Sequence, residues 1–143
     1  MNHIYKTGSV QETEALGVRL AKTLTGNEVI ALYGGLGMGK TAFVRGLAAG
    51  LDVTDEVSSP TFALVHHYRG KISLYHFDMY RVDSWEDLYS TGFFDNLGED
   101  GVLAIEWSEN IENALPEDAM RIEISRGEHD NARIFTVEGA QPI

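Results

Sequence analysis

Two continuous apolar runs are the clearest feature of the hydrophobic pattern. Val29–Tyr33 and Val102–Ile105 contain no charged residue and include several β-branched side chains. Strands that helices cover on both faces, as in parallel sheets, have this pattern. The first run ends at Gly34, and Lys40–Gly50 then repeats apolar side chains at helical spacing. The pattern therefore predicts a strand, a glycine-rich turn and a helix in succession.

Capping signals and alternating positions predict the remaining elements. The capping box Ser9–Glu12 precedes helical periodicity that predicts a helix from Val10 to about Leu24. Ser84 caps a second predicted helix, which runs through Tyr89. Further predicted segments are a hairpin of strands at Phe62–Tyr68 and Ile72–Phe77, a short helix at Asn110–Leu115, and an antiparallel strand pair at Met120–Ile124 and Ile134–Val137. The predicted fold class is α/β, with a mixed sheet that joins a parallel core to antiparallel strands.

Length and composition narrow the class of protein. The chain has 143 residues, 43% of them hydrophobic and 23% charged, and we expect residues 1–143 to form one domain around one core. Cysteine is absent, which excludes disulfide bonds, thiolate zinc sites and cysteine nucleophiles. No window approaches a membrane-spanning apolar run, and the first residues lack the pattern of a secretory signal. We therefore expect a cytoplasmic protein.

The charge balance is strongly acidic. Eleven Lys and Arg stand against 22 Asp and Glu, which gives a formal net charge of -11. A surface potential of this sign repels polyanions. We therefore expect no direct binding to nucleic acid and none to an anionic membrane.

A complete phosphate-binding motif occupies the glycine-rich turn. It satisfies G-x-x-x-x-G-K-[ST] between the predicted strand and helix. Glycines let backbone N–H groups converge on a phosphate, and the following helix adds a positive dipole end. The Lys40 ammonium reaches β and γ phosphates, and the Thr41 hydroxyl is placed to ligate Mg²⁺. The predicted nucleotide-binding residues of this segment are Gly34, Gly35, Leu36, Gly37, Met38, Gly39, Lys40, Thr41 and Ala42.

The alternative interpretation is a glycine-rich turn that only connects a strand to a helix. The complete motif in the required local context favours a site for a nucleoside triphosphate. A cationic pocket lined by N–H groups in so acidic a chain also indicates a specific electrostatic purpose.

Two further side chains are candidates from their positions. Asp78 follows the apolar run Ile72–Phe77, where phosphate-loop proteins place the acidic group that holds the metal or its water. The alternative is a solvated carboxylate at a strand end. Arg133 is a candidate nucleotide contact, although an arginine near an acidic strand end commonly forms a salt bridge.

Three more strings accompany the phosphate loop. They are Ser59-Pro60-Thr61-Phe62, His76-Phe77-Asp78-Met79-Tyr80-Arg81 and Ile105-Glu106-Trp107-Ser108-Glu109. In this order and spacing the four motifs resemble the TsaE family of small bacterial ATPases. The resemblance extends from the helix start at Glu12-Thr13 to the last predicted strand.

The resemblance implies a protein that hydrolyses ATP with Mg²⁺ and works with the TsaD and TsaB proteins, whose complex transfers a threonylcarbamoyl group to adenosine in tRNA. It implies that Glu106 is a second acidic ligand or a water-positioning group. It also implies that Thr13 helps to line an adenine pocket and that Trp107 lies where a partner covers the nucleotide site. The chain departs from the family pattern at Met38, where alanine is common, and at Ser108, where proline is common.

The phosphate motif and the other candidate residues are expected to form one site. The expected catalytic residues are Lys40, Asp78 and Glu106, and the expected metal ligands are Thr41 and Glu106. Ser59 and Thr61 are switch-like candidates that sense the γ phosphate, and a proline-fixed turn is the equal alternative.

Three histidines on the predicted hairpin raise the question of a zinc site. His66 and His67 are adjacent on one strand and so point to opposite faces, which disfavours a shared ion. We interpret His66, His67 and His76 as structural, with His76 a candidate support for Asp78. Two other functions remain open: a small-molecule kinase, and a non-catalytic binding module that nucleotide occupancy gates.

Overall fold

The structure is a computed structural model that describes residues 2–34, 39–54, 65–79, 82, 84–91, 93 and 100–143. Its strands are β1 (Asn2–Thr7), β2 (Val29–Tyr33), β3 (Val65–Tyr68), β4 (Leu74–Asp78), β5 (Val102–Glu106), β6 (Met120–Arg126) and β7 (Arg133–Glu138). Its helices are α1 (Val10–Ala21), α2 (Lys40–Gly50) and α3 (Trp85–Ser90), together with a 3₁₀ helix at Ser108–Ala114. The strands form one sheet in the order β1-β7-β6-β2-β5-β4-β3.

The sheet is mixed, which confirms the predicted fold class. Parallel pairs join β2 to β5, β2 to β6 and β4 to β5. Antiparallel pairs join β1 to β7, β6 to β7 and β3 to β4. The carboxyl ends of β2, β4 and β5 therefore meet at one edge of the sheet, where α/β proteins bind their ligands.

Helices cover both faces of the sheet. On one face, apolar side chains of α1 and α2 pack against apolar side chains of the strands. This cluster includes Leu16, Leu20, Phe43 and Leu47 of the helices, and Ile30, Ile122 and Phe135 of the strands. On the other face, α3 and the 3₁₀ helix contribute to a smaller cluster that includes Phe77, Leu88, Phe93, Ile105 and Ile111. Burial on both faces explains why β2 and β5 have continuous apolar sequences.

The backbones of α1 and α2 touch at Gly46. A Cβ atom at Gly46 would collide with the carbonyl oxygen of Glu14 in α1. Only a glycine allows this approach. The contact fixes the position of α2 relative to α1 and therefore contributes to where the first turn of α2 lies.

The sequence pattern does not predict β1. This strand lies at the edge of the sheet and pairs with β7. Ile4 at its centre is 63% exposed, and polar residues occupy the positions on either side of Ile4 and Tyr5. The strand therefore lacks the alternation of apolar and polar residues that identifies a half-buried strand.

Several predicted boundaries shift in the structure. α1 ends at Ala21, not near Leu24, because the next residues form a turn in which Thr23 N–H donates to the Leu20 carbonyl over 2.9 Å. β4 begins at Leu74, two residues later than predicted, and includes Asp78. The predicted helix at 110–115 is a 3₁₀ helix that begins two residues earlier. The predicted strand residues 62–64 lie outside the described part of the chain.

The described helices are short. The longest, α1, has 12 residues, and within the described ranges no helix has the length and apolar character needed to cross a bilayer.

Candidate functional site

An open helix N-terminus follows the central strand β2. Gly39 is the N-cap of α2 and has φ 90° and ψ 18°, a left-handed conformation that glycine adopts without strain. It offers no side chain to the first N–H groups, and the first turn of α2, all of which is described, contains no acidic residue. By contrast, Ser9 and Ser84 cap α1 and α3, each with an acidic residue in the first turn. The N–H groups of α2 therefore remain available to an anion.

Lys40 lies buried at the start of α2. It is 5% exposed, and its Nζ donates to the Gly34 carbonyl oxygen over 2.8 Å. The same ammonium lies 4.3 Å from the centre of the Trp107 ring. Burial lowers the pKa of Lys40, and the nearby Glu106, Glu109 and Asp78 carboxylates oppose that shift.

Two carboxylates end neighbouring parallel strands. Asp78 is the last residue of β4 and Glu106 the last of β5, and they are direct partners in the strand register. Glu106 is 5% exposed, and Asp78 is half-buried. Both carboxylates therefore lie at the carboxyl ends of parallel strands, the edge of the sheet at which β2 also ends before α2 begins with Lys40.

His76 contacts Glu106 and not its predicted partner Asp78. Its Nε2 atom lies 2.5 Å from Glu106 Oε2, and the imidazole is fully buried. The sequence could not identify this contact, because it depends on which strand lies beside β4 in the sheet.

Trp107 has a left-handed backbone conformation. Its φ of 60° and ψ of 41° are uncommon for a bulky side chain. The turn directs the chain from β5 into the 3₁₀ helix, and Ser108 Oγ donates to the Ile105 carbonyl over 2.8 Å. The indole is half-buried and covers Lys40, so Trp107 lies beside the predicted phosphate site.

A second contact ties the 3₁₀ helix to the end of β2. The Tyr33 hydroxyl donates to the Glu112 carboxylate, which also accepts from Arg121 Nε over 3.3 Å. Burial and the adjacent Glu112 carboxylate raise the pKa of Tyr33. This contact holds the chain after Trp107 against the strand that leads into the phosphate loop.

A cavity of about 360 Å³ lies beside the end of β1 and the turn between β6 and β7. Its lining includes Thr7, His129 and Arg133. Arg133 Nε lies 4.0 Å from where a Cβ on Gly39 would stand, which places the cavity next to the start of α2. The Thr13 hydroxyl is buried and shares a 2.8 Å hydrogen bond with that of Thr7. Thr13 therefore holds Thr7, which lines the cavity. The sequence pattern does not identify Thr7, because it does not predict β1.

Some candidate residues fall outside the described part of the chain. They are Gly35, Leu36, Gly37, Met38, Ser59 and Thr61. Their predicted roles stay predictions.

The described donors suit Mg²⁺. Thr41 lies in the first turn of α2, and Asp78 and Glu106 offer carboxylate oxygens at the same sheet edge. Among the described residues no group of three or more His, Asp or Glu is placed to enclose a metal. Mg²⁺ does not require such a group, since it binds through one or two carboxylates, waters and substrate phosphates.

The other two histidines of the predicted hairpin make separate contacts. His66 Nδ1 lies 2.8 Å from the Tyr68 hydroxyl, and His67 stacks on Tyr75 with ring centres 4.3 Å apart. Both contacts are to aromatic side chains on the β3–β4 hairpin.

Comparisons with known proteins identify the family. The family model "Threonylcarbamoyl adenosine biosynthesis protein TsaE" matches residues 7–135. The tRNA threonylcarbamoyladenosine biosynthesis protein TsaE of Treponema pallidum is 40% identical over 116 residues, which cover 81% of this chain and 86% of that protein. The protein of the same name from Bacillus subtilis is 38% identical over 138 residues, covering 94% and 85%.

A solved structure shares the fold. The crystal structure of Bacillus subtilis YdiB superposes with a TM-score of 0.78 at 33% sequence identity, covering 96% of this chain and 84% of that one. With a family model that spans most of the chain and relatives at this level of identity, the chain belongs to the TsaE family and has that family's role in the biosynthesis of threonylcarbamoyladenosine in tRNA.

Proposed function

We propose that the chain is a Mg²⁺-dependent ATPase, which converts ATP to ADP and phosphate in support of the threonylcarbamoyl modification of tRNA. One observation carries the proposal: a buried lysine begins a helix that has no side-chain cap, at the sheet edge where two carboxylates end adjacent parallel strands. Phosphoryl transfer depends on this combination of anion-binding N–H groups, a cation and acidic groups.

The phosphates have a defined place in this proposal. The loop from Gly34 to Gly39 and the first turn of α2 bind the β and γ phosphates through N–H groups. The Lys40 ammonium, which donates to the Gly34 carbonyl and lies over the Trp107 ring, binds the same phosphates. The cavity beside Arg133 accepts the nucleoside, with Thr13 behind its wall.

Thr41 and Glu106 would hold Mg²⁺, with Asp78 beside them. The ion, when bound, neutralises charge on the phosphate oxygens. Asp78 and Glu106 also orient the attacking water. A bond forms between the water oxygen and the γ phosphorus while the bond to the ADP oxygen breaks, and the water proton passes to phosphate or solvent. The contribution of the protein is positioning and charge stabilisation.

The proposed partners are TsaD and TsaB, in a complex whose stability depends on the bound nucleotide. Trp107 is the candidate contact, because it is half-buried and touches the lysine that we expect to bind the phosphates of ATP. A nucleotide shifts such an equilibrium only if the two states differ in their contacts. Equal affinity for TsaD and TsaB with an ATP analogue and with ADP would contradict this coupling. The proposed place of action is the cytoplasm, where tRNA is modified.

The test is phosphate release from Mg-ATP by the chain alone, and then with TsaD, TsaB and tRNA. We expect slow release alone and strong stimulation by the complete set. Asp78→Asn and Glu106→Gln are the matched variants, which should bind ATP and release little phosphate. Product analysis distinguishes the alternatives: a phosphorylated acceptor would indicate a kinase, and full pathway function of both variants would indicate that occupancy alone suffices.

A further inference from the structure

A buried histidine lies behind one of the two carboxylates of the nucleotide site. His76 is 0% exposed, and its Nε2 atom lies 2.5 Å from Oε2 of Glu106. A carboxylate oxygen accepts hydrogen bonds, and we assign Nε2 of the imidazole as the donor. Because Glu106 is also buried, little water competes for this hydrogen bond, which is therefore stronger than one at the surface.

The strand register explains how two residues far apart in sequence meet. In the parallel pair of β4 and β5, His76 lies opposite Ala104, and Asp78 lies opposite Glu106. Side chains alternate along a strand, so His76, Asp78 and Glu106 share one face of the sheet. The small side chain of Ala104 leaves space for the imidazole to reach along that face to Glu106.

The second nitrogen of the imidazole indicates that His76 does more than fill the core. Nδ1 is buried and has no hydrogen-bond partner among the described residues. An unsatisfied buried polar atom destabilises the folded protein, and an apolar side chain of similar size would avoid that cost. A requirement for the Nε2 contact explains why an imidazole lies here.

We propose that His76 is the positioning residue of Glu106, an inference that rests on the function proposed above. By binding Oε2, His76 fixes the rotation of the carboxylate and leaves Oε1 directed towards the metal and water of the nucleotide site. Without this contact, the attraction between Glu106 and the Lys40 ammonium draws the carboxylate towards the lysine. Both groups are then misplaced for phosphoryl transfer.

The first test uses the protein without nucleotide or metal. In ¹⁵N-histidine-labelled protein, NMR should show His76 with its proton on Nε2, protected from solvent exchange and shifted downfield by the short hydrogen bond. Glu106→Gln should remove the downfield shift. A His76 ring whose only proton is on Nδ1, or a His76 signal that does not respond to Glu106→Gln, would overturn the proposal.

The second test compares two replacements of His76. His76→Leu removes the donor and keeps the site filled, whereas His76→Gln retains a donor at the reach of Nε2. We expect His76→Leu to lower kcat by roughly 10- to 100-fold, which is the usual effect of removing a residue that holds a metal-binding group in place. Mg²⁺ should increase the affinity for an ATP analogue, and His76→Leu should reduce this increase by a similar factor. The KM for ATP and the affinity without Mg²⁺ should change little. His76→Gln should recover much of the loss.

Controls distinguish positioning from stability. Leu74→Ala creates a cavity on the same strand, on the same face and two residues away. It should lower the melting temperature without lowering kcat. In the Glu106→Gln background, His76→Leu should have no further effect on turnover, because the group that it positions is already changed. A full effect in that background, or wild-type kcat and Mg²⁺ dependence in His76→Leu alone, would overturn the proposal.

The two proposals fail in different ways. If the wild-type chain releases no phosphate even with TsaD, TsaB and tRNA, the ATPase proposal is wrong. The NMR signature and the Mg²⁺ dependence of nucleotide affinity need no hydrolysis, so they still decide the role of His76. If His76→Leu does not fold, His76→Gln and the wild-type NMR measurement remain decisive.

Discussion

Lys40 contacts two groups at the start of α2. Its ammonium donates to the Gly34 carbonyl and lies over the face of the Trp107 ring, and both contacts stabilise a buried cation. They hold the lysine beside the first N–H groups of the helix, where we expect it to bind phosphate.

Replacing Lys40 with methionine should therefore weaken ATP binding more than it weakens the fold. Loss of a hydrogen-bonded charge costs about 1.5–3 kcal/mol, which corresponds to a roughly 10- to 150-fold rise in Kd. Isothermal titration calorimetry with Mg-ATP measures this change, and thermal unfolding without nucleotide reports the fold. Arg45→Met, which removes an exposed cation five residues further along α2, is the matched control. An unchanged Kd in Lys40→Met would contradict the assigned phosphate site.

At the scale of elements, short polar turns hold the strands and helices in place. Glu28 shows this in the turn between α1 and β2. Its carboxylate accepts hydrogen bonds from Thr25 N and Thr25 Oγ1 at 2.8 and 2.9 Å, from Gly26 N at 2.9 Å and from Asn27 N at 3.1 Å. The turn sets where β2 begins and therefore where its carboxyl end, with the phosphate loop, lies.

The stabilisation by Glu28 should depend on pH. Burial tends to raise the pKa of Glu28, but the hydrogen bonds outweigh it and the pKa lies below its ordinary value of 4.5. The folded state then binds fewer protons than the unfolded state between the two pKa values, so stability rises with pH in that window. The stabilisation is fully present above about pH 4.5 and is lost as the pH falls through the folded pKa.

The variant Glu28→Gln tests whether the stabilisation by Glu28 increases with pH. Urea unfolding at pH 7 should show a loss of about 1–2 kcal/mol, and the difference from wild type should shrink below pH 4.5. The exposed Glu117→Gln serves as the control for loss of one negative charge. A difference that grows as the pH falls would show that the hydrogen bonds do not favour the ionised carboxylate.

At the scale of the whole molecule, a net charge of -11 surrounds the proposed anion-binding site. Backbone N–H groups and a buried lysine create attraction only at short range, while the acidic surface acts over about a Debye length. We therefore expect the molecule to attract a compact, metal-neutralised anion at this place and to repel extended polyanions elsewhere. In that case other proteins would bind the tRNA that is modified.

We expect no measurable association of the chain alone with tRNA. Gel-shift titration at low salt, where electrostatic binding is strongest, should leave the tRNA mobility unchanged. Adding TsaD and TsaB should produce a shifted complex if the proposed partnership is correct. A salt-dependent shift by the chain alone would show that its charge distribution contains a basic surface that the net charge conceals.

Local sequence determined much of this protein. The strand β2, the start of α2 and the serine caps of α1 and α3 follow from neighbouring residues. Each depends on hydrogen bonds or backbone conformations within one turn of chain, which residue types specify directly. The family, which the four sequence motifs indicate, is confirmed by the family model.

Tertiary structure alone decided the rest. The edge strand β1 exists because β7 offers it a partner, and its own side chains carry no apolar pattern to reveal it. The contact between His76 and Glu106 depends on the order and register of β4 and β5, and Trp107 reaches Lys40 only because β5 lies beside β2. Contacts across a sheet join residues that are distant in the chain, so the sequence specifies them through the packing of the whole fold and not through local spacing.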